Sequence, residues 1–295
     1  MKQTSSHHTP LDGALGIVTA FEPEAALVCR RLHLRHQEAT VVGRLWQGHL
    51  HGQEVVVVRG GMGPERAAQA ATWLLQHYAL HGVLSVGFAG GLQASLTTGD
   101  AVLPLQILAL PAGTEAVSTC EDAGITPDAC LAHLAAVAAT QATLTQHQGT
   151  LLSVAEIVTQ AADKKRLGQR SGALAVDMES HSIGRVAAAH HLPFMVLRTI
   201  FDTHNDDVPF QANLFTSADG ALQPLRVLSY VARQPRLLAQ MLPAWRKARL
   251  AARGLEAWLG HFLLLLSRTE GRGDKERGRG GEGEKDVAQR RSGIP

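Results

Sequence analysis

The stretch Glu54-Val-Val-Val-Val-Arg-Gly60-Gly-Met-Gly63-Pro-Glu-Arg-Ala67 holds the fold in miniature. Four consecutive valines suit a strand buried on both faces, the glycines allow a tight turn, and a proline is tolerated where a helix begins. The helix itself is predicted over residues 67–78. The same order recurs along the chain. Leu15-Gly-Ile-Val-Thr-Ala-Phe21 reads as an apolar strand, after which Glu22-Pro-Glu24 opens a helix carrying Leu27, Val28, Arg31 and Leu32. Gly82-Val-Leu-Ser-Val-Gly-Phe-Ala-Gly-Gly91 is a strand ending in glycines, and Thr98-Gly-Asp100-Ala-Val-Leu-Pro104 begins another. Residues 132–140 look helical and 149–158 extended, and a further helix begins at Asp163. Ala175-Val-Asp177-Met-Glu179-Ser180 opens a helix, and Pro193-Phe-Met-Val-Leu-Arg-Thr-Ile-Phe-Asp202 is another buried strand. The alternation predicts an α/β fold, a mostly parallel sheet covered on both faces by helices.

Composition agrees. The 295 residues are 45% hydrophobic but only 4% aromatic, with 29 glycines, so the core is aliphatic and the turns tight. With 28 basic and 26 acidic residues the net charge is +2, too small a field to argue for nucleic acid. Cys29, Cys120 and Cys130 have no paired spacing and read as reduced thiols of a cytoplasmic protein. Nothing demands a metal or an organic cofactor. Residues 1–13 are polar and are expected to be a disordered extension, followed by the main domain over 14–222. Residues 223–266 are expected to form a C-terminal helical extension, and 267–295 a charged, disordered tail. Within the extension, residues 255–266 are strongly apolar but too short to span a bilayer. They suit packing on the core or on a second subunit, or an interfacial helix at the inner face of a membrane.

Two buried strands deliver carboxylates to their ends, where desolvation makes a charge expensive and therefore suggestive of chemistry. Asp177 and Ser180 also suit a helix cap, and Asp202 a turn. Arg198 lies within an apolar run and is predicted to pair with Glu179 or Asp177. Gly61-Met-Gly63-Pro-Glu-Arg66 has two glycines of a dinucleotide fingerprint but arginine in the third place, which argues against that fold.

In order along the chain, Gly-Ile-Val-Thr-Ala-Phe-Glu-Pro-Glu24, Gly-Met-Gly63-Pro-Glu-Arg-Ala, Val-Gly87-Phe-Ala-Gly-Gly91, Thr98-Gly-Asp100, Val-Asp177-Met178-Glu179 and Arg198-Thr-Ile-Phe-Asp202 resemble the nucleoside phosphorylase and nucleosidase superfamily. In style they are closest to the methylthioadenosine/S-adenosylhomocysteine nucleosidases. The resemblance implies a three-layer α/β/α sandwich around a central mixed, mostly parallel sheet of the nucleoside phosphorylase type. It also implies a homodimer and cleavage of the N-ribosidic bond of an adenine nucleoside. Leu225-Arg-Val-Leu228 and Arg233-Gln-Pro-Arg-Leu-Leu238 resemble the hopanoid-biosynthesis-associated branch, which would make adenosylhopane the substrate.

Such cleavage needs an acid for the departing base and an activated nucleophile for the anomeric carbon, a logic shared with glycosidases. By resemblance Asp202 is the acid at purine N7 and Glu24 the base that orients water. Glu179 takes the ribose hydroxyls and Met178 packs on the sugar, while Ile157, Val158 and Thr159 hold the purine. Met62, Phe88, Ala89, Gly90, Asp177 and Arg198 complete the expected substrate site. Phosphorylases of this superfamily offer phosphate a Ser or Thr hydroxyl where Phe88 stands here, and Glu24 would repel phosphate, so water is the favoured nucleophile. Phosphorolysis, with Arg59 and Arg66 as cations, is the alternative. A noncatalytic nucleoside binder is the second, and it predicts loss of a carboxylate that this chain retains.

Overall fold

Burial on both faces is what turns the apolar runs into the central strands. The computed structural model describes residues 13–110, 124–208, 217, 221, 223 and 237–289, with side chains of the final helix placed from 243 to 269. The expected N-terminal extension up to residue 12 and the 225–236 stretch lie outside the described residues. The chain runs β1 (Ala14–Thr19), α1 (Glu22–Cys29), β2 (His33–Thr40), β3 (Gly43–Leu50), β4 (Gln53–Arg59), α2 (Pro64–His77) and β5 (Leu80–Gly91). It continues through β6 (Ala101–Leu110), α3 (Ala129–Gln141), β7 (Gln146–Val154), α4 (Ala161–Ser171), β8 (Ala175–Asp177), α5 (Ser180–Ala189), β9 (Phe194–Asp202) and α6 (Leu237–Gln289).

One mixed sheet has the order β2-β3-β4-β1-β5-β8-β7-β6-β9, and β9 also pairs with β5. That second pairing closes the β5-β8-β7-β6-β9 half on itself. The β1 pairs with β4 and β5, and the pairs β5–β9, β6–β7 and β7–β8, are parallel. β5–β8, β6–β9 and the β2–β3–β4 meander are antiparallel.

Period-two alternation divides the core between the layers. Val55 and Val57 face a cluster with Leu27, Val28, Ala135 and Trp258, whereas Val56 and Val58 face α2 and α5 through Ala67, Ala70, Leu74 and Ile183. The chain is thus an α/β protein with helices on both faces of a mixed sheet.

Two features differ from the expectations, and the C-terminal helix takes one of the alternatives offered for it, packing on the core. The β2–β3 hairpin was not anticipated; β2 is exposed along nearly its whole length, so its polar sequence carries no alternation to read. β7 stops at Val154, and residues 155–160 form a loop. The C-terminal helix is part of the domain: Ala251, Leu255, Trp258, Leu259, Phe262, Leu263 and Leu266 are buried, and Trp258 Nε1 donates to the Ala135 carbonyl at 2.8 Å. The leucine row that could have met a membrane faces the core instead. Helical backbone then continues to Gln289 through the stretch expected to be disordered.

Candidate active site

The parallel strands β1, β5 and β9 run in the same direction, β1 stopping just past its Val18–Ser85 pair while β5 and β9 continue to the Gly90–Asp202 pair, and the candidate side chains gather towards their carboxyl ends, where open α/β sheets usually bind ligands. Glu24 lies in the first turn of α1 and is 2% exposed. Its Oε2 accepts from the backbone N–H groups of Ala20 (2.9 Å) and Phe21 (3.0 Å), and its Oε1 from that of Phe88 (3.0 Å). Burial pushes the Glu24 carboxyl above its ordinary range, against the opposing pull of Arg198 and these three donors.

Arg198, in the middle of β9, is held through two of its three guanidinium nitrogens. Its Nε donates to Asp177 at 2.9 Å, and its Nη2 donates to Ser85 Oγ at 3.0 Å and to Glu179 at 3.5 Å. Burial alone would lower its pKa, but Asp177, Glu179 and Glu24 more than offset that and keep it charged. Only glycine suits position 87: a Cβ there would overlap Arg198 Nη1 and Glu24 Oε1. The Glu24 carboxylate and the Arg198 guanidinium therefore both lie against the β5 backbone at Gly87.

Asp177 is committed to protein partners rather than turned to a ligand. Besides Arg198 it accepts from Ser153 Oγ at 2.5 Å and from the backbone and hydroxyl of Ser180. Glu179, next along, accepts from the Gly63 N–H at 3.0 Å, which ties the glycine turn before α2 to the site. Burial raises the Glu179 carboxyl to about 7; Arg198 opposes the rise, while Asp177 and Glu24 add to it. Met178 lies beside Gly63, within reach of a Cβ built there.

Asp202 ends β9. A bulge opposite Ala89 and Gly90 pairs Gly90 with Asp202 while Ala89 pairs with Ile200, and such bulges re-aim the side chains that follow them. Its carboxylate lies against Gly90 and forms an ion pair with Lys164 of α4. Burial raises the Asp202 carboxyl, and Lys164 pulls it back down. Gly87 and Gly90 mark the Glu24 and Asp202 ends of the site; three residues of strand separate them by about 10 Å.

Ile157, Val158 and Thr159 lie in the loop after β7. The Val208 N–H donates to the Thr159 carbonyl and the Ala161 N–H to Asp207, which join that loop to the segment after Asp202. Met62 lies half-buried in the glycine turn, and Phe88 packs at the core's edge with its ring 6.3 Å from that of Phe201. Sequence reasoning missed Lys164 and the serines Ser85, Ser153 and Ser180. Lys164 had a readable signal, since it shares a helical face with Ala161, Leu167 and Gly168. Burial pushes the Cys29 thiol up to about 12, which leaves it unsuited as a nucleophile. Among the described residues no cluster of three or more His, Cys, Asp or Glu could hold a metal ion.

A family model described as the phosphorylase superfamily matches residues 14–233. The 5'-methylthioadenosine/S-adenosylhomocysteine nucleosidase of Shewanella loihica is 28% identical over 224 residues, covering 73% of this chain and 97% of that protein. Its counterpart from Shewanella piezotolerans is 26% identical over 226 residues, covering 74% and 98%. Among solved structures, the Neisseria meningitidis nucleosidase of that name, in complex with methylthio-immucillin-A, superposes with a TM-score of 0.66 at 20% identity, covering 85% of this chain and 98% of that one. Futalosine hydrolase of Helicobacter pylori gives 0.62 at 19% identity, covering 83% and 97%. At those identities the two structures speak for the fold alone.

Proposed function

The chain belongs to the phosphorylase superfamily, and on that footing we propose that it cleaves the N-ribosidic bond of an adenine nucleoside, with water as nucleophile, in the cytoplasm. Glu24 takes a proton from the water that attacks the anomeric carbon. Glu179 receives the ribose hydroxyls, and Asp202 gives a proton to N7 as the bond's electron pair moves onto the departing adenine. Raised carboxyls at both ends of the site suit a base and an acid working near neutral pH.

The observation that carries hydrolysis over phosphorolysis is the occupancy of the anion-binding amides. The N–H groups of Ala20, Phe21 and Phe88 converge as a phosphate site would require, and the Glu24 carboxylate already takes them. A phosphate arriving there would face Glu24 and Glu179 with Arg198 already engaged. Arg59 pairs with Glu22 at 3.6 Å and sits over Trp46, so it too has work elsewhere.

The sequence relatives are named for nucleosides with a thioether at the 5'-carbon. The proposal extends to other adenosyl compounds, adenosylhopane included, and takes the protein to act as a homodimer. No helix among the described residues is long and apolar enough to cross a membrane. The test is adenine release from methylthioadenosine, S-adenosylhomocysteine, adenosine and adenosylhopane, each with and without phosphate. Phosphate-independent release that falls by about 10²–10⁴ in Asp202→Asn is the expected result. Release that requires phosphate and yields ribose 1-phosphate moves the assignment to phosphorylase; binding without turnover moves it to a nucleoside-binding protein.

A further inference from the structure

Lys164 is the most buried cation that the proposed chemistry leaves unexplained. It is fully buried (0% exposed), one turn into α4, on the helix face that meets the sheet. A lysine so placed is costly unless its ammonium is paired and hydrogen-bonded. Its Nζ forms an ion pair with Asp202 Oδ2 and donates to the Asp206 carbonyl at 2.7 Å. Close packing puts it there: a Cβ at Gly168, one turn further along α4, would overlap the Leu92 carbonyl, so the helix lies directly on the chain leaving β5.

The surroundings give this contact a direction. Asp206 is already held by Lys247 of α6 at 2.6 Å and by the backbone and hydroxyl of Thr203 at 2.8 Å. The charged and titratable groups around Asp202 are therefore Lys164 from α4, Asp206 and His204 from the following loop, and Lys247 from α6. Of these, only Lys164 forms an ion pair with the Asp202 carboxylate. By occupying Oδ2 it leaves Oδ1 as the oxygen that can carry a proton to a base.

We propose that Lys164 is a positioning residue for Asp202: its ammonium fixes the carboxyl group's orientation and stabilises the carboxylate formed when Asp202 gives its proton to the departing purine. This role rests on the nucleosidase reading above. The step balances simply. The Asp202 O–H bond breaks as an N7–H bond forms, the electron pair of the N-ribosidic bond settles on the purine, and Lys164 keeps its protons throughout. Without the ammonium, Asp202 would be a weaker acid that holds its proton to higher pH, because burial would then act with little opposition.

The experiment compares pH profiles of kcat/KM for the wild type, Lys164→Met and Lys164→Arg, on the best nucleoside of the panel. Lys164→Met is expected to lower kcat roughly 10- to 100-fold with little change in KM, and to move the descending limb of the profile up by about one unit or more. Lys164→Arg restores the charge and is expected to return the limb towards the wild-type position. A merely structural lysine would lower activity without moving the limb, and an unmoved limb in an active variant overturns the proposal. Should Lys164→Met fail to fold, Lys164→Gln, which keeps donors but loses the charge, replaces it against the same outcomes. Where turnover is too slow to profile, the carboxyl-carbon NMR titration of Asp202, identified by its loss in Asp202→Asn, is read instead. A midpoint raised in the charge-free variant supports the role and an unchanged one overturns it. A wild type inactive on every nucleoside overturns the nucleosidase reading and this role with it, whereas an active wild type with an unmoved limb overturns the role alone.

Discussion

Replacing Glu179 by glutamine is expected to make the folded protein more stable at neutral pH while weakening the ribose contact proposed for it. In the fold this carboxyl is raised from its ordinary 4.5 to about 7, with burial as the main cause. A group whose folded pKa lies above its unfolded one contributes stability that is present in full below the unfolded value and is lost as pH rises through the folded value. For Glu179 that window runs from about 4.5 to about 7, an interval worth about 3 kcal/mol. Glutamine mimics the protonated acid at every pH and keeps an oxygen for the Gly63 N–H. Urea unfolding followed by tryptophan fluorescence should therefore show nearly equal stabilities at pH 4.5 and a variant ahead by about 3 kcal/mol at pH 8. A difference that does not change with pH, or a variant weaker than the wild type at pH 8, would refute the reasoning. Nucleoside cleavage measured alongside should fall sharply, because a neutral amide holds two ribose hydroxyls less well than a carboxylate.

Glu24→Gln should lower kcat by about 10²–10⁴ through loss of the base, with nucleoside affinity by calorimetry changed far less. Gly87→Ala places a methyl group against both Arg198 Nη1 and Glu24 Oε1; activity should collapse while stability drops by about 1–3 kcal/mol in denaturant titration. Trp258→Ala removes the largest fully buried side chain of α6 and its bond to Ala135. A loss of about 3–5 kcal/mol is expected, a large part of the roughly 5–15 kcal/mol that holds a domain together.

The central strands were legible because they are buried on both faces and read as unbroken apolar runs. The β2–β3 hairpin was not, since its outer strand has no buried side to impose alternation. Arg198 announced its partnership by being a cation inside an apolar run, and the structure supplies both candidate partners at once. Ser85, Ser153 and Ser180 had no comparable signal: a small hydroxyl in a strand or at a helix start is ordinary until its neighbours are known. Lys164 stood in a run of charges, Asp163 to Arg166, that looks like a solvated helix start. Its helical spacing with Ala161, Leu167 and Gly168 was the one cue that sets the buried lysine apart from its exposed neighbours. The apolar row of residues 255–266 was visible as a helix, but its destination depended on a groove formed by α1, α3 and β9, elements distant in the sequence.

That groove bears on when the protein can become active during its synthesis. β9 carries Arg198 and ends in Asp202, and the Thr199 hydroxyl between them donates to the Ala251 carbonyl of α6 at 3.1 Å. A nascent chain that has emerged only as far as β9 holds every proposed catalytic carboxylate, yet one side of the sheet beneath them is covered only by α1 and α3. The ribosome must deliver residues up to Leu266 before that covering is complete. That side of the sheet is thus completed only once α6 has been made, and a product ending at β9 keeps the proposed residues without that covering.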